Sequence, residues 1–447
     1  MQKKNLSKYI EQVFETEDDQ KAEWFGYYNY DPLDDGHRRL LCHRSVNDGM
    51  AVEKGMIVKC GYYDISTKAW HEIGESDSYN WQQGTMLQWL PGDGNQNKAI
   101  YNLSKDNHLT SNIVNVNSGE RKEIPYSIYG LLPDGTHSIA LDLERSYWCR
   151  AYHYESVANP DVNCPIPEGD GIFSVNLTTG ERTRIVSIQD VLALDAEDDF
   201  PELQHWFEHI MVSPTGKRFV FLHRFSPVGD VYHYETRMII ANVDGSNLQV
   251  IPGWKDNSWS HFGWNGDDEF AMYTVIIASA QKTLTKALKE SNENYISLGT
   301  IKKNVLAFFK KHIPKRLKYS LKGQRSGYQY YRYNPAKGEF ELVDWLSGEL
   351  LDIDGHPSFT NDGRYMITDS YPDINDFRRL VVLDLHTKKR VLLAKMYAGL
   401  NKTPARCDLH PKLSRDNQYV TIDTAYTGKH RMIVFRLKWD EIKKVLS

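Results

Sequence analysis

Residues 208–224 read Glu208-His209-Ile210-Met211-Val212-Ser213-Pro214-Thr215-Gly216-Lys217-Arg218-Phe219-Val220-Phe221-Leu222-His223-Arg224. Two apolar runs flank Ser-Pro-Thr-Gly, which is the composition of two antiparallel strands joined by a tight turn. The same plan returns at Tyr28 to Arg44, Leu87 to Leu103, Tyr129 to Leu143, His261 to Val275, His356 to Ser370 and His410 to Ala425. Seven copies at propeller-like intervals predict seven blades. A second hairpin follows each copy, at Met56 to Ile73, Ile113 to Ile124, Gly171 to Val186, Arg237 to Ile251, Gln329 to Val343, Arg379 to Leu393 and, cut short, His430 to Leu437. The expected architecture is all-β, a single seven-bladed β-propeller domain over 1–447.

Composition agrees with many short strands. The 447 residues include 27 Tyr and 11 Trp, and no long apolar run interrupts them. A net charge of −5 argues neither for nor against an anionic partner. Five cysteines without a CxxC pair point away from a disulfide framework and towards a reducing compartment. Met1 to Gln20 lacks the apolar core of a signal peptide, and no stretch is long and apolar enough to span a bilayer. A cytoplasmic protein is expected.

One segment breaks the pattern. Within 279–326, Ile301, Val305, Phe308, Phe309, Ile313 and Leu317 recur at helical spacing, and the segment carries twelve basic residues against Glu290 and Glu293. A basic amphipathic helix inserted in blade five is predicted, kinked or ended near Pro314. Such a helix lies on an anionic membrane at the inner membrane surface, holds an acidic polymer, or packs its stripe on the propeller and leaves its lysines in water.

Four copies share a histidine: His209, His261, His356 and His410 each precede a short strand ending in a Ser/Thr-x-Asp-Gly type turn. A closed ring would bring all four imidazoles to one end of its axis. Converging imidazoles suit manganese, zinc or nickel; the structural alternative is that each histidine pins its turn to the next blade. His223 beside Arg224 has the chemistry of a proton acceptor next to a carboxylate-binding guanidinium. No P-loop, Gly-x-Ser-x-Gly elbow or dinucleotide fingerprint is present. The basic patch has no interleaved aromatic platform, which argues against nucleic acid.

The units His209 to Pro227, Ser260 to Trp264, Gly355 to Gly363 and Asp408 to Asp416 resemble the oligogalacturonate lyase family. Its members are seven-bladed propellers that cleave uronic-acid oligosaccharides by β-elimination with a divalent metal. The resemblance covers mainly 205–435. It implies that His261 and His410 are metal ligands and that His223 is the base. The family's two further ligands fall here on Cys407 and Lys412, and a lysine is no comparable ligand. The family's catalytic arginine has no matching motif, which leaves Arg224 as a neighbour of His223. The runs Asn80-Trp81-Gln82-Gln83-Gly84, Gln88-Trp89-Leu90-Pro91, His205-Trp206-Phe207, Asp369-Ser370-Tyr371-Pro372-Asp373 and Arg406-Cys407-Asp408-Leu409-His410-Pro411 are similar to oligogalacturonate lyase-like propellers associated with bacterial polysaccharide genes.

Elimination builds charge on a uronate carboxylate, which a metal or arginines must neutralise. Arg224 and Arg406 supply that field, while Trp81, Gln82, Trp259 and Tyr371 are placed to hold the sugar; each aromatic is equally read as blade packing. The expected activity is metal-dependent elimination on an acidic oligosaccharide or polysaccharide. The alternatives are a glycosyltransferase-associated or other carbohydrate-active role in capsule or exopolysaccharide synthesis, and a non-catalytic glycan-binding scaffold.

Overall fold

The computed structural model describes residues 3–150, 157, 164–195, 202–255, 257–276 and 326–447. Their strands form seven antiparallel sheets, six of four strands and one of five, and together these are the blades of a seven-bladed propeller. In blade four the order from the axis outward is Leu203–Val212, Arg218–Pro227, Glu235–Asn242 and Gln249–Val250. Arg218–Pro227 is buried at nine of its ten positions, because neighbouring blades cover both of its faces. That is why its sequence reads as a continuous apolar run rather than an alternating one. An outer strand such as Glu339–Ser347 in blade five instead mixes exposed and buried positions.

The blades pack on one another through shared apolar clusters. Ile100, Ile139, Ile172, Phe219, Phe221 and Ile239 belong to one cluster running from blade two to blade four. Ile367, Val382, Ile422, Ile433 and Phe435 belong to another between blades six and seven.

The ring closes with the N-terminal segment. Ile10–Glu15 pairs with Arg431–Leu437 and becomes the outermost strand of blade seven, so the hairpin that ends at Leu437 is completed from the other end of the chain. Lys4–Leu6 pairs with Arg390–Tyr397 as a fifth strand on blade six. Blade one departs from the repeat as read. Its innermost strand is Ala22–Trp24, which pairs with Arg39–Ser45, and Tyr28 lies in the segment after that strand. Gly26 has φ 127°, and a Cβ there would stand 2.7 Å from the Gln83 carbonyl carbon. Only glycine lets the chain turn off the sheet at this point. The segment from Phe25 rejoins the sheet at Leu33, which bridges to Leu40.

The insertion 279–326, with its predicted helix and membrane-facing stripe, lies outside the described residues except for Ser326. Its flanks, Glu269–Ile276 and Ser326–Asn334, are the second and third strands of blade five. His356 precedes a first strand and Tyr371 follows a second one. The connections between blades, and those joining second to third strands, therefore gather at the end of the ring that holds the histidines. Among the described residues no helix is long and apolar enough to cross a membrane, and all five cysteines are free thiols.

Candidate metal centre and cavity

The four repeat histidines meet around two tyrosines of the Phe25–Leu33 segment. The Tyr27 ring stacks on His209 with centroids 5.2 Å apart and meets His410 edge-on at 5.5 Å. The Tyr28 ring lies 4.9 Å from His356, 6.0 Å from His410 and 6.2 Å from His261. Its hydroxyl donates to the Phe262 carbonyl at 2.6 Å, which ties the segment to blade five.

Local backbone irregularity aims the imidazoles. The pairing of the first two strands shifts register between Glu208 and Met211 in blade four, and between Trp259 and Phe262 in blade five. His209 and His261 therefore sit in bulges, which turn a side chain out of the sheet's alternation. His209 and His410 have φ values of 56° and 44°, a left-handed conformation that costs a non-glycine residue about 1 kcal/mol or more and recurs at functional sites.

Three of the rings have an acceptor at Nδ1, while His209 Nδ1 meets the Gln83 side-chain nitrogen at 3.2 Å. His356 Nδ1 lies 2.8 Å from Asp369 Oδ1, His261 Nδ1 3.1 Å from Asp354 Oδ1, and His410 Nδ1 2.9 Å from the Gly26 carbonyl oxygen. An acceptor at Nδ1 fixes the Nδ1–H tautomer and leaves Nε2 with its lone pair, the arrangement found behind metal-binding histidines. Asp369 also accepts the backbone N–H of His356 at 2.7 Å and that of His410 at 3.3 Å. Gly355 makes that approach feasible, since a Cβ there would stand 1.9 Å from the Asp369 carbonyl oxygen.

The rings are close together. His356 lies 3.9 Å from His261 and 4.3 Å from His410, centroid to centroid. Ligand atoms of His356, Asp408 and His410 lie within 4.8 Å of one another. His356 Nε2 is buried without a hydrogen-bond partner. Burial holds the His356 and His410 imidazoles well below their usual pKa, as it does His209, so all three are neutral at pH 7. Burial pushes the Asp408 carboxyl up, but Arg378 at 2.6 Å and Arg406 at 2.9 Å outweigh it and keep it ionised. An orphaned imidazole nitrogen, neutral rings and an ionised carboxylate fit a divalent cation.

A cavity of about 370 Å³ opens beside this cluster, and its wall includes Gln82, Arg150, His209, Arg224, Trp259, His261, Tyr371, Arg406 and His410. On one side Arg406 lies 5.0 Å over the Tyr371 ring, and the Tyr371 hydroxyl is 3.5 Å from His261 Nε2. On the other side Arg150 and Arg224 both contact Glu208, at 2.9 and 3.0 Å, and both lie 4.6 Å from the Tyr234 ring. A second cavity of about 520 Å³ lies among Lys105, Glu123, Asp142 and Arg182. Two ion pairs lie on its wall, Lys105 with Glu123 and Arg182 with Asp142.

Nine of the eleven residues singled out in the sequence thus gather here, with His356 just beneath the cavity wall. Two do not. Trp81 is a packing residue: its ring stacks 4.6 Å from His430 and its Nε1 donates to the Met50 carbonyl at 2.8 Å. His223 is fully buried in blade four, with Nε2 2.9 Å from His205 Nδ1 and Nδ1 accepting from Arg237 Nε at 3.1 Å. It pairs across the strands with Phe207, whereas Arg224 pairs with Trp206, so neighbours in sequence point to opposite faces. Lys412 is buried against Asp423 at 2.7 Å.

Sequence reading missed Tyr27, Tyr28, Arg150, Glu208, Asp354, Asp369 and Asp408. A signal was present for some of them: Asp354-Gly355-His356 and Asp408-Leu409-His410 share an Asp-x-His spacing, and Glu208 directly precedes His209.

The fold has solved counterparts. An oligogalacturonate lyase from Vibrio parahaemolyticus superposes with a TM-score of 0.57 at 15% identity, covering 96% of this chain and 93% of its own. An oligogalacturonate lyase in complex with manganese gives 0.55 at 14% identity, over 93% and 90%. At such identities these likenesses establish the fold. No family model and no curated protein matches the sequence.

Proposed function

We propose that the cavity binds an acidic oligosaccharide beside a divalent metal ion and promotes β-elimination at a uronate. The observation that carries this reading is the trio His261, His356 and His410, each with Nδ1 held by an acceptor; His261 and His410 line a cavity flanked by Arg150, Arg224 and Arg406, and His356 lies just beneath its wall. The likeness to an oligogalacturonate lyase in complex with manganese supports it.

His261, His356, His410 and Asp408 would hold the metal, which when bound would draw charge from the uronate carboxylate as the α-proton leaves. Arg406 is placed to grip the same carboxylate, with its guanidinium held by Asp408. Trp259 and Tyr371 offer flat faces to the sugar rings. Elimination removes the proton from C5 and breaks the bond from C4 to the departing oxygen. The base must stand in the cavity. His223, enclosed between His205 and Arg237, does not reach it, whereas Tyr234 and Glu235 line the wall.

That placement of His223 also supports a second reading, in which the cavity binds uronates without cleaving them. One experiment separates the two. Purified protein is loaded with manganese, zinc or nickel and mixed with an oligogalacturonate while the ultraviolet absorbance of unsaturated uronate is followed. Metal-dependent absorbance that His356→Ala abolishes supports elimination. Calorimetric binding without absorbance supports the binding role, and neither signal removes both.

A further inference from the structure

Glu208 stands outside the metal cluster and has no part in the reaction as read above. It is 3% exposed, yet it meets four nitrogen-bearing side chains from three segments of chain, Arg150 and Trp206 as hydrogen-bond donors and Arg224 as an ion pair. Its Oε2 accepts from Arg150 Nη1 at 2.9 Å, and lies 3.0 Å from Arg224 Nη1 and 3.3 Å from His209 Nε2. Its Oε1 accepts from Trp206 Nε1 at 2.6 Å. Arg150 ends the helix Leu143–Arg150 of blade three, Arg224 lies on the second strand of blade four, and His209 and Trp206 lie on the first.

Two guanidinium ions repel, and the docking of the helix Leu143–Arg150 on the first strand of blade four, through Arg145 and Ser146 donating to the His205 and Phe207 carbonyls, sets these two near each other. The buried carboxylate between them removes that repulsion and fixes both over Tyr234. Each guanidinium presents five N–H donors in a plane, and both side chains line the cavity. They stand on the side of blades three and four. Arg406 belongs instead to the segment leading into blade seven, beside Tyr371 and the metal cluster. The cavity therefore has two cationic poles, with His209 beside Glu208 at the second.

We propose that Glu208 is a positioning residue that sets Arg150 and Arg224 as a paired grip for a second acidic group, so that the cavity selects oligosaccharides carrying two carboxylates over those carrying one. This rests on the uronate-binding reading above. A single uronate engages the pole at Arg406; the next uronate along the chain engages the pole at Glu208.

The test is calorimetric titration of the full chain with galacturonic acid and with its disaccharide. Wild type should prefer the disaccharide by roughly tenfold or more, the worth of one added charged grip. Glu208→Gln should lose most of that preference while binding the monosaccharide within about twofold of wild type and taking up manganese unchanged; a fold defect would move all three. Arg150→Met, at a less buried position, should lose the same preference and serves if Glu208→Gln does not fold. A preference that survives both substitutions, or equal weakening of the two sugars, overturns the assignment of Glu208. Wild type that takes neither sugar overturns the uronate reading, and the inference falls with it; wild type that binds both equally sinks this inference alone.

Discussion

At the scale of single residues, the histidines singled out in the sequence divide: His209, His261 and His410 line the cavity, His356 lies just beneath its wall, and His223 is closed off from it. His223 is held neutral by burial, with Arg237 and His205 adding to the effect. Below its usual pKa of 6.5 the unfolded chain takes up a proton that the folded chain refuses, so this residue removes stability as pH falls. His223→Gln should flatten the fall of unfolding free energy between pH 6.5 and 5 by about 1.4 kcal/mol per pH unit, read from urea melts at each pH. A slope equal to wild type would show that the ring is already charged in the folded state. Asp369 permits a second prediction. It orients His356 and the backbone of His410, so Asp369→Asn should weaken manganese or zinc uptake by about 10- to 100-fold. Competition with a chelator measures it, and unchanged affinity would remove Asp369 from the metal's support. The four histidines were legible because they recur at one repeat position. Asp369 and Glu208 were not, because their role depends on which strands face each other across the ring, and spacing along the chain does not encode that. His223 misled for the same reason. Residues 223 and 224 read as a pair in sequence, and strand alternation sends them to opposite faces.

At the scale of elements, the bulges and the N-terminal strand do most to place the site. The strand pattern foretold seven inner hairpins, yet it gave no hint that Ile10–Glu15 would complete blade seven, since an edge strand with charged neighbours carries little period-two signal. Phe14 is 3% exposed and packs with Tyr63, Met432 and Val434. Phe14→Ala should therefore destabilise the fold by about 3 kcal/mol, measured by denaturant midpoint, although the residue lies on an outermost strand away from the cavity. A loss under about 1 kcal/mol would mean that the strand is dispensable to the ring. The segment Phe25–Leu33 escaped sequence reading differently. Tyr28 was read as the start of a blade's first strand, but that strand is Ala22–Trp24, and the diversion at Gly26 puts the Tyr28 ring among the histidines rather than in a sheet.

At the scale of the whole molecule, the cluster joins blades five, six and seven to the segment that follows the first strand of blade one. A ligand that binds only this assembled arrangement stabilises it by mass action, by about 2.7 kcal/mol at a hundredfold excess over its dissociation constant. Thermal melts with and without manganese, zinc or nickel should show an upward shift that His356→Ala abolishes. A shift that persists in the variant would place the metal elsewhere. The ring is also sealed where its two ends meet, and the hydrogen bond from His410 to the Gly26 carbonyl crosses that junction, as do the bonds from the Phe25 and Gly26 N–H groups to Asp423. The segment around Gly26 and the segment around His410 must therefore meet before the His410 ring has its anchor. Until they do, the imidazole is free to turn, so the site and the closed ring form together. The same junction works in reverse: an ion held there would latch the ring shut, so its departure would be the event that licenses unzipping.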